Sequence, residues 1–158
     1  MNKVILALGS NIGDRQNNIN QALLELKNKI IITKFAKTIE TSALLCNKYT
    51  NTTEDKNKYL NTVIIGYTNY HHLPFLNYIK KIEKKLGRIQ NKQKWKARII
   101  DIDIIYWNKD IIKHKNLNIP HEEMQNRYFV LYPLSMILPN FLHPILKKNT
   151  KQLLDNLL

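Results

Sequence analysis

Arg98-Ile99-Ile100-Asp101-Ile102-Asp103 opens a run that continues as Ile104-Ile105-Tyr106-Trp107. Its β-branched and aromatic content predicts a strand over Ile99 to Trp107. Residues two apart on a strand point to one face, about 7 Å apart along the chain. Asp101 and Asp103 therefore share a face, and Ile100, Ile102 and Ile104 line the opposite, buried one. Side by side, two carboxylates repel unless a cation lies between them, and hard divalent ions prefer such oxygen ligands. A bare Asp-x-Asp is more often the solvated face of an edge strand, so its surroundings must decide.

Working outward, the chain alternates strand and helix signals. Residues 3–8 read as a buried strand ended by Gly9-Ser10-Asn11. Asp14 is placed to cap a helix running to about Asn28, with Ile19, Ala22, Leu23 and Leu26 on one face. A second strand spans roughly 30–40. The polar stretch from Asn47 to Lys58 reads as a long exposed loop. Tyr59 to Thr68 reads as a third strand. A helix follows over His72 to Leu86, with Pro74 in its first turn and Phe75, Ile79, Ile82 and Leu86 facing the core; Gly87 stops it. Residues 121–140 read as short helical pieces and 149–158 as a terminal helix. The order β-α-β-β-α-β followed by helical additions predicts an α+β, ferredoxin-like fold in one domain over residues 1–158.

The 158 residues carry a net charge of +13, which asks for anionic partners. Lysine supplies 21 of the 25 basic residues, so much of that excess reads as solvated surface. Against that background Arg15, Arg88, Arg98 and Arg127 mark positions that need a planar, bidentate donor. No apolar run approaches the ~20 residues of a membrane helix. No signal-peptide pattern is present, and the single Cys46 fits a reducing compartment. A cytoplasmic monomer is expected, with no membrane and no nucleic-acid partner.

The surroundings raise the standing of the acidic pair. Lys84 to Arg98 holds seven basic residues and no acidic one. Carboxylates that hold metals, beside cations that hold phosphate oxygens, suit a magnesium polyphosphate. Trp95 in the middle of that segment can cover a bound ring or fold back on the core. His121 and Arg127 follow the strand and can donate to phosphates. Neither a Gly-x-Gly-x-x-Gly fingerprint nor a Walker-type loop is present.

In this order the pieces resemble the 6-hydroxymethyl-7,8-dihydropterin pyrophosphokinase family of folate biosynthesis. The resemblance runs from Leu8-Gly9-Ser10-Asn11-Ile12-Gly13-Asp14-Arg15 through Tyr59-Leu60-Asn61, Glu83, Gly87-Arg88, Trp95 and Arg98-x-x-Asp101-x-Asp103-Ile104. It ends in Ile119-Pro120-His121-x-x-Met124-x-x-Arg127-x-Phe129-Val130-Leu131-x-Pro133-Leu134. It implies a kinase with ATP as co-substrate and two Mg2+ ions shared by Asp101 and Asp103. Arg98 and Lys94 would join those aspartates in catalysis. Glu83, Arg88, Trp95, His121 and Arg127 would surround ATP. Gly9, Asn61, Phe129, Tyr59 and the segment Thr41, Ser42 to Leu44 would hold the pterin, with Phe129 and a tyrosine near Tyr59 on its ring faces. Ser42 and Ala43 replace the prolines usual after Thr41, the 46–58 loop is long, and Gln90 and Lys94 stand in arginine positions.

The competing reading is a basic RNA-binding module on the same fold, to be told apart by RNA affinity without ATP chemistry. The absence of an aromatic RNP-type strand pattern and the acidic pair beside the basic loop speak against it. A two-metal nucleotidyltransferase would instead release pyrophosphate.

Overall fold

The computed structural model describes residues 1–42, 58–87 and 99–158. Its main sheet is built from β1 (Asn2–Ser10), β2 (Ile31–Phe35), β3 (Ile39–Thr41), β4 (Tyr59–Thr68) and β5 (Asp101–Trp107). The order is β2-β4-β1-β5, with β3 also pairing β4, and β4 and β5 both antiparallel to β1. The segment predicted as a single strand over 30–40 breaks at Ala36-Lys37-Thr38 into β2 and β3. Taken together these two are the second strand of the predicted plan, so the order second-third-first-fourth is that of the ferredoxin-like sandwich. A short hairpin, β6 (Ile112–His114) and β7 (Leu117–Ile119), has no counterpart in the predicted elements.

Helices cover both faces of the sheet. On one side lie α1 (Arg15–Leu26) and α2 (His72–Lys85). Ile19, Ala22 and Leu26 of α1 meet Phe75, Ile79 and Ile82 of α2 over Val4, Leu6, Leu8, Ile64, Ile102 and Ile104 of the strands. Each such side chain contributes about 1.5–3 kcal/mol by leaving water, which favours this layer over any packing that exposes the stripe. The Asp14 side chain accepts from the Asn17 amide and starts α1 as the sequence predicts. Lys84 and Lys85 sit in the last turn of α2, where the helix dipole favours cations. Lys85 also meets Glu25 of α1 at 2.6 Å, and the Tyr78 hydroxyl donates to the Glu25 carbonyl, so the two helices are tied together as well as packed.

The other face carries the C-terminal additions: a 3-10 turn (Met124–Asn126), α3 (Tyr128–Ile137) and α4 (Thr150–Leu157). Val130, Leu131 and Leu134 of α3 and Leu153 and Leu154 of α4 bury against Ile5, Ala7, Val63, Ile65, Ile105 and Tyr106. A capping box between Asn149 and Gln152 begins α4.

A β-bulge decides which way β5 faces. Leu6 pairs with Ile104 and Ile5 with Tyr106, leaving Ile105 as a spare residue. Ile102 and Ile104 therefore point to the α1/α2 layer, while Ile105 and Tyr106 both join the α3/α4 layer. Asp101 and Asp103, half-buried at the start of the strand, share the α3/α4 side, beyond the end of its apolar core.

Candidate functional site

At that end of the sheet the register lines up a row of polar positions. Ile39 of β3 pairs with Asn61 of β4, Asn61 with Gly9 of β1, and Gly9 with Asp101 of β5. Asn61 and Asp101 thus lie on opposite sides of Gly9, two strand spacings or about 10 Å apart. Asn61 is 4% exposed, and its amide nitrogen donates to the Thr41 hydroxyl at 2.9 Å. That bond fixes the amide with its carbonyl oxygen toward Gly9, where an added Cβ would come within 2.8 Å of it. A glycine is needed here for close approach, not for an unusual backbone angle. Tyr59, half-buried, shares the face of Asn61 two residues before it.

Two further side chains converge on the acidic pair. The Arg127 guanidinium Nη1 lies 3.2 Å from Asp103 Oδ2, and His121 Nε2 lies 3.8 Å from the same oxygen. The bulge residue contributes directly: the Ile105 carbonyl accepts the His121 amide at 3.0 Å, seating the histidine beside Asp103. The imidazole Nδ1 accepts from the Glu123 amide at 3.2 Å, so the ring proton resides on Nε2, facing Asp103. Burial, and then the Arg127 charge, push the His121 pKa down to about 4. At neutral pH the His121–Asp103 contact is therefore a neutral N–H facing a carboxylate and not an ion pair. The guanidinium also lies 5.6 Å from the ring centre of Phe129, which packs at the edge of the α3/α4 core.

Glu83 reaches β5 from α2. It is 3% exposed, and its carboxylate accepts from the Ile102 amide at 3.3 Å, between the two aspartates. Through this bond it holds the backbone that spaces the pair. The resemblance placed Glu83 among the residues surrounding ATP, and this bond to the backbone of β5 lay outside that expectation. The position of Glu83 in the last turns of α2 beside a paired strand was the one available signal.

The donor set fits magnesium. Among the described residues no three His, Cys, Asp or Glu side chains gather as a metal cluster, so the chain offers Asp101 and Asp103 as a pair of carboxylates. Mg2+ retains waters and is commonly held by one or two carboxylates plus substrate phosphates. His121, with its proton on Nε2, faces the pair as a donor and not as a ligand.

The sequence-predicted residues Gly9, Thr41, Tyr59, Asn61, Asp101, Asp103, His121, Arg127 and Phe129 thus gather at one end of the α3/α4 face, with Ser42 directly after β3. The Thr41 hydroxyl contributes by holding the Asn61 amide. Leu44, Arg88, Lys94, Trp95 and Arg98 lie outside the described residues, as do Ala43, Cys46 and Gln90. Arg15 is committed elsewhere: it donates to the Lys58 carbonyl at 2.6 Å and to Glu40 at 3.0 Å, joining the start of α1 to the entry of β4. A hollow of about 310 Å³ lined by Gln125, Asn126, Leu146, Lys148, Leu153, Asn156 and Leu157 contains none of the site residues.

Known proteins resemble this chain along most of its length. The chain is 37% identical over 152 residues to the 2-amino-4-hydroxy-6-hydroxymethyldihydropteridine pyrophosphokinase of Aquifex aeolicus, covering 96% of this chain and 90% of that protein. It is 35% identical to the Bacillus subtilis protein of the same name, covering 86% of this chain and 78% of the relative. It is also 37% identical to the folic acid synthesis protein FOL1 of Dictyostelium discoideum, of which it spans 22%. Among solved structures, a Plasmodium falciparum HPPK-DHPS matches 98% of this chain with a TM-score of 0.75 at 19% identity; the match spans 43% of that longer chain. The family model of 7,8-dihydro-6-hydroxymethylpterin-pyrophosphokinase (HPPK) matches residues 5–139, and the chain belongs to that family.

Proposed function

We propose that this chain transfers the pyrophosphoryl group of ATP to the hydroxymethyl oxygen of 6-hydroxymethyl-7,8-dihydropterin in folate biosynthesis, releasing AMP. The observation that carries the reading is the Asn61-Gly9-Asp101 row, which sets a fixed amide about two strands from a carboxylate pair. A planar heterocycle with donors and acceptors on its edge suits the first; a charged polyphosphate suits the second. Family membership and the pyrophosphokinase relatives support the same assignment.

The reaction is an in-line displacement. The hydroxymethyl oxygen attacks the β-phosphorus, the bond from that phosphorus to the α,β-bridging oxygen breaks, AMP leaves, and the hydroxyl proton passes to solvent or to a phosphate oxygen. Mg2+, held by Asp101 and Asp103 and taken here as two ions, would neutralise polyphosphate charge and acidify the hydroxyl. The residues of the chain position and neutralise. Asn61, fixed by Thr41, orients the pterin, with Tyr59 and Phe129 proposed for its faces and Gly9 leaving room at its edge. His121 donates from Nε2 and Arg127 from its fork to phosphate oxygens; Arg88, Lys94, Trp95 and Arg98 are assigned to ATP, with Arg98 and Lys94 nearest the transferred group. Such arrangement accounts for most catalysis in phosphoryl transfer, so no general base is assigned.

Helices on both faces favour this reading over an RNA platform, because α3 and α4 cover the sheet face opposite α1 and α2. The decisive experiment is AMP formation that requires ATP, Mg2+ and the pterin alcohol together. Release of pyrophosphate in place of AMP would exclude the mechanism.

A further inference from the structure

Arg127 has a fixed backbone and a side chain with two contacts. Its amide donates to the Met124 carbonyl at 3.2 Å, and its own carbonyl accepts from Val130 and Leu131 at 3.1 and 3.0 Å, where the 3-10 turn hands over to α3. From this anchor the guanidinium touches Asp103 Oδ2 on one side and the face of Phe129 on the other. The ion pair is not deeply buried: the Arg127 and Asp103 side chains are 29% and 28% exposed. A pair at that exposure is worth on the order of 1 kcal/mol, enough to bias an equilibrium and too little to resist a divalent ion.

We propose that Arg127 is a displaceable internal counter-ion, which holds the Asp103 oxygen in the metal-free enzyme and yields it when a metal–nucleotide complex arrives, its guanidinium then turning to the phosphates. The inference rests on reading Asp103 as a metal ligand. It gives Arg127 two opposed effects, because the same side chain competes with the bare metal for one oxygen and cooperates with the metal once phosphates are present. A residue that merely contacted ATP would favour nucleotide and leave bare metal unaffected. A residue that merely braced the aspartate would favour both. The Phe129 ring already lies 5.6 Å from the guanidinium, so the cation has a favourable neighbour besides Asp103 as it turns.

The test is binding, measured on the whole chain without turnover. Mn2+ affinity is followed by electron paramagnetic resonance with and without α,β-methylene-ATP, which lacks the scissile bridging oxygen. Arg127→Gln should bind bare Mn2+ roughly three- to tenfold more tightly, the equivalent of the ion pair it loses, and should bind the metal–nucleotide complex more weakly than wild type. Arg15→Gln, a matched charge deletion at the Glu40 pair, should leave bare-metal affinity unchanged. Arg127→Lys, which keeps the charge without the fork, should fall between wild type and Arg127→Gln and serves in its place should the latter fail to fold. Unchanged or weaker Mn2+ binding in the Arg127 variants overturns the proposal, as does an equal gain in Arg15→Gln. Asp103→Asn separates the layers: if it binds Mn2+ as wild type does, the metal assignment itself is wrong and the counter-ion role falls with it.

Discussion

The Asn61 amide nitrogen donates to the Thr41 hydroxyl at 2.9 Å inside the site, where both residues are almost fully buried. An amide can turn over at little cost unless something distinguishes its two ends. Here the hydroxyl does so, and it comes from the strand on the far side of Asn61 from Gly9.

Thr41→Val preserves shape and removes the acceptor. We expect the pterin KM to rise about three- to tenfold with kcat less affected, and stability to fall by about 1 kcal/mol from the lost bond. Steady-state kinetics with each substrate varied, together with urea unfolding, check both effects; an effect confined to the ATP KM would contradict the placement.

Gly9→Ala places a methyl group 2.8 Å from Asn61 Oδ1. The Asn61 side chain must move, so pterin affinity should drop about tenfold or more, the scale of misplacing a positioning group. The backbone at Gly9 needs no special angle, so the sheet should survive. Calorimetric pterin titration beside far-ultraviolet circular dichroism distinguishes loss of binding from loss of fold.

Asp101→Asn and Asp103→Asn should each lower kcat by at least about a hundredfold, the scale of losing one pre-organised electrostatic group. The melting temperature should change by only a few degrees, because both side chains lie outside the apolar cores. Near-normal turnover in either variant would remove the metal assignment.

His121 also makes stability depend on pH. Its pKa is depressed from the usual 6.5 to about 4 in the folded chain. The unfolded chain therefore takes up a proton first as the pH falls. Stability from this group is fully present above pH 6.5 and is lost progressively between 6.5 and about 4. His143, buried and accepting at Nδ1 from the amides of Ile145 and Leu146, is shifted in the same direction by burial. Urea midpoints at pH 7 and pH 5 should differ less in His121→Gln than in wild type. An equal or steeper loss in the variant would show that the imidazole is solvated.

Much of this architecture was legible because its signals are local. Tyr59 to Thr68 was readable from end to end as a strand, and α2 followed from the spacing of Phe75, Ile79 and Ile82 with Gly87 behind it. The acidic pair was legible for the same reason, since period two alone puts Asp101 and Asp103 on one side. What escaped depends on pairing between distant segments. The break at Ala36 to Thr38 follows from how β2 and β3 both dock on β4. The three-residue strands of the β6–β7 hairpin are too short to show alternation. The Asn61-Gly9-Asp101 row exists only in the register of three strands. Glu83 was singled out through the resemblance as an ATP neighbour, but its bond to the Ile102 amide exists only in the packing of α2 on β5.

The bulge at Ile105 carries a rule of parity. With Tyr106 and Trp107 anchored in opposite cores, an unbroken alternation back along β5 would turn Asp101 and Asp103 inward beneath α1 and α2 and present isoleucines to the substrates. One surplus residue reverses that sign, and its carbonyl seats His121 on the corrected side. Between Asp103 and Tyr106, a single added residue would exchange chemistry for core, and a pair would restore it. The spare isoleucine is thus a counting device, and the site's polarity depends on whether its count is odd or even.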